Sequence, residues 1–480
     1  MIDFVRANMA PLMFGGLILF MLIGYPAAFS LSAVGLFFGI AALQFGLIEP
    51  SFLGNLSYQL YGVLSNDLLL AIPFFTLMGA ILERCGLAED LLDGFGQLFG
   101  GIRGGLSYAV ILVGAVLGAI TGTVAASVIA MGLISLPVMQ RYGYSPRHAT
   151  GVIAASGTIT QLIPPSLVLI VLANQLGRSV GDMYIGATGA SILQLLLFAG
   201  WVLILSFVRP QDVPALPPEA RTLRGWALAA KLVKGMVPSL VLIFIVLGTI
   251  FLGLVTPTEA GAMGVVGALI LAAINRRLTW ALLWEGMLST MKLTAMVVFI
   301  LLGSRVFSLV FQGVGGSHWI ESMLTSLPGG QVGFLVFVNL FIFVMAFFLD
   351  FFEIAFIIIP LLVPAAQALN IDLVWFGVMI CANMQTSFMH PPFGFALFYL
   401  RGIVPREQVK TSDIYWGAVP WVVLQLILVL ALIFWPGLVT AFIAPPSTAD
   451  LNTIQITLPP DQNGDLNAPP AFDISPPKFN

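Results

Sequence analysis

Two stretches with one shared pattern decide the fold: Ser156-Gly157-Thr158-Ile159-Thr160-Gln161-Leu162-Ile163-Pro164-Pro165 and Asn383-Met384-Gln385-Thr386-Ser387-Phe388-Met389-His390-Pro391-Pro392. Each places polar residues just before a Pro-Pro pair, inside an apolar segment long enough to cross a bilayer. Because proline has no N–H and clashes with the preceding turn, neither stretch can be helical throughout. Unpaired backbone at membrane depth is tolerated only where it is buried in protein or lines a cavity. Two matched breaks therefore predict the binding site of a transporter.

The composition is that of an integral membrane protein. Of the 480 residues, 59% are hydrophobic and only 9% are charged, and the mean hydropathy is +1.02. Soluble proteins average about 25% charged residues. Cys85 and Cys381 are far apart and lie in or beside apolar segments, so we expect no disulfide, and two cysteines do not make a metal site. The chain has no P-loop, GxSxG or HExxH motif, which argues against an ATP-driven pump and against a hydrolase. We expect neither an enzymatic activity nor a nucleic-acid partner.

Apolar periodicity predicts an all-α protein with many membrane spans. A spanning helix needs roughly 20 apolar residues. Eight segments fit that length: 9–26, 28–46, 67–84, 184–208, 236–254, 259–275, 290–311 and 414–436.

Four further segments have polar interruptions. Segments 107–141 and 332–368 each have a polar, glycine-rich or acidic centre, which predicts a re-entrant hairpin that turns back within the membrane. Segments 146–176 and 372–400 hold the Pro-Pro pairs, and each predicts a discontinuous helix. The hairpins follow two interfacial arms, 86–104 and 313–330.

The two halves resemble each other at an offset of 227 residues. Ser156 then aligns with Asn383, and Pro164 aligns with Pro391. We expect five regions, namely N-terminal scaffold helices 1–66, a first repeat 67–208, a cytoplasmic loop with central scaffold helices 209–289, a second repeat 290–443 and a disordered tail 444–480.

Basic residues predict the orientation. With a periplasmic N-terminus and tail, only Arg6, Arg178, Arg305 and Lys478 of the 19 lysines and arginines lie outside or in the outer half. The other 15 lie inside, as the positive-inside rule expects. The two repeats are then inverted, as in many carriers.

A broken helix exposes carbonyl groups that suit a cation and N–H groups that suit an anion. Hydroxyl and amide oxygens add ligands without a buried charge. The first candidate cation site consists of Gly122, Thr123, Ser127, Ser156, Gly157 and Thr158. The second consists of Asp350, Asn383, Gln385, Thr386 and Ser387. Substrate would lie between them, in contact with Thr160, Pro164, Pro165, Ser166, Glu353, Arg305, Pro391 and Pro392.

Each assignment has a plainer alternative. Hydroxyl groups inside membrane helices often bond to a carbonyl of their own helix or join two helices. A Pro-Pro pair can be a simple kink. Asp350 and Glu353 could cap a hairpin or pair with Arg305, although ionisable groups at membrane depth are functional candidates by default. Arg305 could extend outward to the membrane surface or attract a substrate carboxylate.

At these residues the chain resembles the large membrane subunit, DctM-like, of TRAP (tripartite ATP-independent periplasmic) transporters in the ion transporter superfamily. The resemblance covers about residues 1–440 and rests on motifs 120–127, 155–158, 163–166 and 348–350. It implies an elevator mechanism in a bacterial inner membrane, with sodium as the coupling ion. It also implies a small four-helix, DctQ-like membrane partner, a periplasmic substrate-binding protein and organic acid substrates. The second break, residues 385–392, resembles the branch labelled mannitol/chloroaromatic, which is also linked to 2-oxo acids, so the substrate stays open.

One feature departs from the family pattern. The second hairpin centre reads Asp350-Phe351-Phe352-Glu353, where many members have a small residue and a hydroxyl after the aspartate. The two breaks and the family resemblance together predict a sodium-driven importer subunit for carboxylates. The alternatives are a stand-alone ion-coupled carboxylate carrier without a binding protein, and a channel-like or structural membrane subunit.

Overall fold

A computed structural model describes residues 2–223, 225–390, 394–404 and 407–443. The predicted tail 444–480 and the predicted substrate contacts Pro391 and Pro392 lie outside the described residues. Every regular element among the described residues is helical, and eight helices are long and apolar enough to cross a membrane. The prediction of an all-α protein with many spans is confirmed.

Twelve α-helices lie within the described residues 2–223. They are α1 (Ile2–Ala7), α2 (Met9–Ile23), α3 (Ala27–Gln44), α4 (Pro50–Gly54), α5 (Leu56–Leu64), α6 (Ala71–Glu83), α7 (Leu87–Phe99), α8 (Gly105–Thr121), α9 (Val124–Arg141), α10 (Pro146–Thr158), α11 (Leu167–Leu176) and α12 (Val180–Val208). A 3₁₀ turn, Asp67–Leu70, leads into α6.

The described second half contains eleven more α-helices. They are α13 (Gly225–Phe251), α14 (Pro257–Ile274), α15 (Trp280–Gly313), α16 (Gly316–Thr325), α17 (Gly330–Met345), α18 (Phe351–Glu353), α19 (Ile359–Ala368), α20 (Leu373–Met384), α21 (Phe395–Ile403), α22 (Thr411–Phe434) and α23 (Gly437–Thr440). A π-helical stretch, Ile354–Ile358, joins α18 to α19.

The two segments with polar centres are helix pairs with a short non-helical link. Gly122 and Thr123 join α8 to α9, and Gly122 adopts φ +61°, a conformation that glycine favours. In the second pair, residues 346–350 separate α17 from α18. We call residues 122–125 the first tip and residues 350–352 the second tip.

Both predicted breaks interrupt a helix. After α10, the chain forms a 3₁₀ turn, Ile159–Gln161, and α11 begins only at Leu167. After α20, it forms a 3₁₀ turn, Gln385–Phe388, and α21 begins at Phe395. The Pro164–Pro165 bond in the first break is cis.

Small residues let the first helix pair approach the first break closely. A β-carbon on Gly114 of α8 would lie 2.6 Å from Ser156 Cβ, and one on Gly118 would lie 2.9 Å from Thr160 Cα. On the other side, Gly157 packs against Val128 of α9. Close backbone approach through small residues is how membrane helices gain packing energy, and here it fixes the first tip over the break.

Candidate functional site

A cavity of about 230 Å³ lies where both tips and both breaks meet α15. The first tip contributes all of residues 122–125, and the second tip contributes residues 350–352. Leu293 and Met296 of α15 form another part of the wall. Elements that are more than 200 residues apart in sequence therefore border one cavity.

The two breaks complete this cavity. Gln161, Leu167 and Val168 line it from the first break and the start of α11. Phe388 lines it from the second break, and Phe395 and Tyr399 line it from α21. Among the described lining residues, Asp350 carries the only charged side chain.

The first predicted cation site is partly assembled. Gly122 and Thr123 lie at the cavity, while Ser127 is buried on α9 next to Val128, the residue that contacts Gly157. The buried hydroxyls of the first break bond within their own helix. Ser156 Oγ donates to the Ile153 carbonyl at 2.9 Å, and Thr158 Oγ1 donates to the Ala155 carbonyl at 2.9 Å.

The second predicted cation site is divided between two sets of contacts. Asp350 and Glu353 form a reciprocal helix cap, in which Glu353 N donates to Asp350 Oδ1 at 2.8 Å and Asp350 N donates to Glu353 Oε2 at 3.0 Å. Asn383 instead donates through Nδ2 to the Asn339 carbonyl of α17 at 2.7 Å. The hydrogen bonds of the described residues thus do not join Asp350 to Asn383.

The hydroxyls of the second break repeat the pattern of the first. Thr386 Oγ1 donates to the Asn383 carbonyl at 2.7 Å, and Ser387 Oγ donates to the Met384 carbonyl at 2.6 Å. The bonding within the helix that was the plainer alternative is therefore present at both breaks. It leaves the hydroxyl lone pairs available as acceptors.

The residues predicted to touch substrate are scattered around the first break. Thr160, Pro164 and Pro165 are buried, and Thr160 Oγ1 has no hydrogen-bond partner among the described residues. Ser166 is the N-cap of α11, where its hydroxyl accepts from Val168 N at 3.2 Å and donates to the Gln161 carbonyl. The Gln161 carbonyl at this break is thus already occupied.

Arg305 and Glu353 do not line the central cavity. Arg305 lies on α15 in a separate cavity of about 610 Å³, with Tyr58 and Gln59 of α5 and with Gln312. Glu353 is held in the cap of α18. The structure therefore does not bring Arg305 together with the other predicted substrate residues.

A buried amide network connects the two breaks, and the sequence analysis did not identify it. Gln194 of α12 and Gln385 exchange hydrogen bonds of 2.5 and 3.2 Å. Gln425 of α22 donates through Nε2 to Thr158 Oγ1 at 2.9 Å and to Gln385 Oε1 at 3.5 Å. One side chain on α22 thus contacts both broken helices.

Gln161 was also missed, although it lies inside the first quoted stretch. Its side chain is 2% exposed and lines the cavity, and its Oε1 has no partner among the described residues. The sequence did indicate these amides, because each is a polar side chain within an apolar span and such a residue is a functional candidate by default.

Comparisons with known proteins agree on one family. The family model described as "Tripartite ATP-independent periplasmic transporter, DctM component" matches residues 14–438. The chain is 32% identical to the C4-dicarboxylate TRAP transporter large permease protein DctM of Pseudomonas aeruginosa, over 82% of this chain and 91% of the relative. It is 25% identical to the isethionate TRAP transporter permease protein DctMQ of Oleidesulfovibrio alaskensis, over 89% of this chain and 65% of the relative.

The fold resembles a solved transporter. The YdaH transporter of Alcanivorax borkumensis superposes with a TM-score of 0.55, over 82% of this chain and 90% of that one. The sequence identity is 17%, so this likeness concerns the fold alone.

Proposed function

Because this chain belongs to the DctM component family of tripartite ATP-independent periplasmic transporters, we propose that it carries an organic acid across a bacterial inner membrane, driven by sodium ions. The matched relatives are permeases, and the chain is a membrane transport subunit rather than an enzyme. The observation that carries the proposal is the central cavity, which both tips and both breaks line together with α15.

An anionic substrate fits the chemistry around this cavity. Val124 and Ala125 belong to the first turn of α9 and line the cavity, and Leu167 begins α11 there, whereas the Val168 N–H already donates to Ser166 Oγ. The N–H groups of a first turn have no partner within the helix and attract negative charge. The relatives named for C4-dicarboxylates and for isethionate both take organic acids.

Sodium ions are the proposed coupling ions because the breaks offer oxygen ligands. Asn383 Oδ1 and Thr160 Oγ1 are buried without a partner among the described residues. The hydroxyls of Ser156 and Thr386 can bind a cation through their lone pairs, and Thr158 Oγ1, which accepts from Gln425 Nε2, keeps one lone pair for the same purpose. Hard cations prefer such oxygen ligands.

Asp350 gives a physical reason for coupling. Its carboxylate lines the cavity and would repel an anionic substrate. A sodium ion beside Asp350 removes that repulsion, so that sodium tightens substrate binding and, by linkage, substrate tightens sodium binding.

Two partners follow from this proposal. One is a small four-helix membrane subunit, and the other is a periplasmic substrate-binding protein that delivers the acid. The isethionate relative supports the first, since it is named DctMQ and this chain covers only 65% of it. The tips would move with the substrate past α15 in an elevator motion.

Uptake into proteoliposomes tests the proposal. The chain is reconstituted with its small membrane subunit, and labelled organic acids are added with and without an inward sodium gradient and the binding protein. We expect uptake that saturates and requires both. Saturable uptake without the binding protein would favour a stand-alone carrier, and non-saturating flux without sodium dependence would favour a channel.

A further inference from the structure

The cavity around Arg305 is formed by one face each of two helices. α5 and the residue before it contribute positions spaced i, i+3, i+4, i+7 and i+8, namely Asn55, Tyr58, Gln59, Gly62 and Val63. Such a spacing places side chains on one side of a helix. On α15, Arg305, Leu309 and Gln312 follow the same rule. The two helices therefore face each other across a volume of about 610 Å³.

The charge of Arg305 is not compensated within the described part of the chain. Its side chain is half-buried, and the described lining residues include no aspartate or glutamate. The ion pairs among the described residues involve Arg84, Arg147 and Lys231 instead. A guanidinium group cannot lose its proton in a protein, and an unpaired charge on a spanning helix is unfavourable. An anion from outside the chain would supply the missing partner.

Neutral polar side chains surround this arginine. Asn55, Gln59 and Gln312 are exposed, line the cavity and make no side-chain hydrogen bond to any described residue. An amide that faces hydrocarbon without a hydrogen-bond partner is unfavourable. Each amide both donates and accepts, so a ligand with hydroxyl groups beside its anionic group would satisfy them.

The length of α15 places Arg305 near the edge of the hydrocarbon layer. A helix of 34 residues is roughly 51 Å long at 1.5 Å per residue. The hydrocarbon core is roughly 30 Å thick, so an equal overhang leaves about 10 Å of helix beyond each side. Arg305 precedes the last residue, Gly313, by eight positions, which is about 12 Å. Its guanidinium can therefore reach the depth of the lipid phosphates.

Exposed tyrosines on α5 indicate the same depth independently. Tyr58 and Tyr61 are 78% and 72% exposed, and Tyr58 lines the cavity. Tyrosine is enriched at the level of the lipid headgroups, where its ring meets hydrocarbon and its hydroxyl meets polar groups. The opening of the cavity thus lies where a headgroup, rather than an acyl chain, is the neighbour.

We propose that this cavity binds the headgroup of an anionic phospholipid that carries hydroxyl groups, as phosphatidylglycerol does. The Arg305 guanidinium donates to the phosphate in the forked geometry that suits this anion. Gln59 and Gln312 bind the glycerol hydroxyls. Because the described lining has no carboxylate, the ammonium group of phosphatidylethanolamine finds no ionic partner there. The site is separate from the central cavity, so this inference does not depend on the proposed function.

Lipid binding to the delipidated full-length chain in detergent tests this inference. Thermal unfolding and native mass spectrometry are measured with phosphatidylglycerol, phosphatidylethanolamine, diacylglycerol of the same acyl chains, and inorganic phosphate. A ligand of the folded state raises the unfolding midpoint. We expect the largest rise and a retained lipid mass with phosphatidylglycerol, a smaller rise with phosphatidylethanolamine, and none with diacylglycerol or inorganic phosphate.

A matched pair of arginine variants locates the contact. We expect Arg305→Gln to weaken phosphatidylglycerol binding tenfold or more, since it removes a charge-assisted hydrogen bond. Arg178→Gln should leave the binding unchanged, because Arg178 is exposed and does not line the cavity. Gln59→Leu provides a second test should Arg305→Gln fail to fold. It should reduce the preference for phosphatidylglycerol over phosphatidylethanolamine, and it breaks no hydrogen bond of the described structure.

Three outcomes would overturn this inference. One is equal stabilisation by diacylglycerol, or equal binding of phosphatidylglycerol by the Arg305→Gln and Arg178→Gln variants. Another is an equal effect of inorganic phosphate, which would make the cavity a site for a free anion. The third is no effect of any lipid together with loss of the small membrane subunit on co-purification of Arg305→Gln, which would make this face a subunit interface. Each of these outcomes leaves sodium-coupled uptake through the central cavity untouched.

Discussion

At the scale of single residues, Asp350 has two roles that substitution can separate. Its carboxylate caps α18 through Glu353 N, and it is the charge we assign to sodium binding. Asparagine caps a helix as well as aspartate does, but it is neutral. We expect Asp350→Asn to keep thermal stability and to weaken the sodium dependence of uptake about tenfold or more, since a charge-assisted contact contributes about 1.5–3 kcal/mol.

Asp350→Ala should also lose the cap, which lowers the free energy of unfolding by about 1 kcal/mol. The matched control is Asp372→Asn, because Asp372 caps α20 through Trp375 N at 2.8 Å and does not line the cavity. Sodium titrations of uptake and thermal unfolding are measured for all three variants. An Asp350→Asn protein with unchanged sodium dependence would refute the assignment.

The sequence indicates single residues well where local chemistry decides their role. The Pro164-Pro165 pair lies in the non-helical gap between the 3₁₀ turn after α10 and the start of α11, and Asp350 followed three residues later by Glu353 is a recognisable cap. For Arg305, the local sequence was not enough to predict which site the side chain joins. Which cavity a side chain on a 34-residue helix faces depends on the helices packed around it, and the local sequence does not contain that information.

At the scale of elements, the Gln425 side chain of α22 links the two broken helices. It reaches Thr158 at the first break and Gln385 at the second. If each break holds a sodium ion, we expect Gln425→Leu to lower the Hill coefficient for sodium towards 1 and to retain uptake at saturating sodium. Neither Thr158 Oγ1 nor Gln385 Oε1 loses its last hydrogen bond, so stability should change little.

The control for this prediction uses the same substitution elsewhere. Gln175 of α11 donates only to its neighbour Asn174 in the described structure, at 3.1 Å. Gln175→Leu should leave the Hill coefficient unchanged. Initial rates of uptake over a sodium series measure both variants, and equal Hill coefficients for the two would show that Gln425 does not couple the breaks.

The helices themselves follow from the sequence more directly than their links do. Apolar length predicts the long spans, although α13 begins at Gly225 rather than near residue 236. The paired helices α4 and α5 were missed because Asn55, Ser57 and Gln59 interrupt the apolar run. The bond between Gln194 and Gln385 joins residues 191 positions apart, and no pattern of spacing indicates such a contact.

At the scale of the whole molecule, the cavity has walls of two kinds. The tips and breaks form most of it, and α15 contributes Leu293 and Met296. Sequence reasoning placed the substrate between the breaks, but it did not identify α15 as the opposing wall, since nothing in an apolar helix marks the partner it faces. The proposed elevator motion moves the tips relative to α15, so fixing the tips to α15 tests it directly.

If the tips carry substrate past α15, tying the two together must stop transport. We choose Ala125→Cys on the first tip and Met296→Cys on α15, because both positions line the cavity and neither is an assigned sodium ligand. A short bifunctional thiol reagent with an internal disulfide should abolish sodium-driven uptake in the double variant, and reduction should restore it. Each single variant treated with the same reagent is the control, and Cys85 and Cys381 are both buried. Because a fixed tip can still bind sodium, the unfolding midpoint of the cross-linked protein should still be higher in sodium buffer than in choline buffer. Full uptake by the cross-linked protein would mean that the acid crosses without the tips moving past α15.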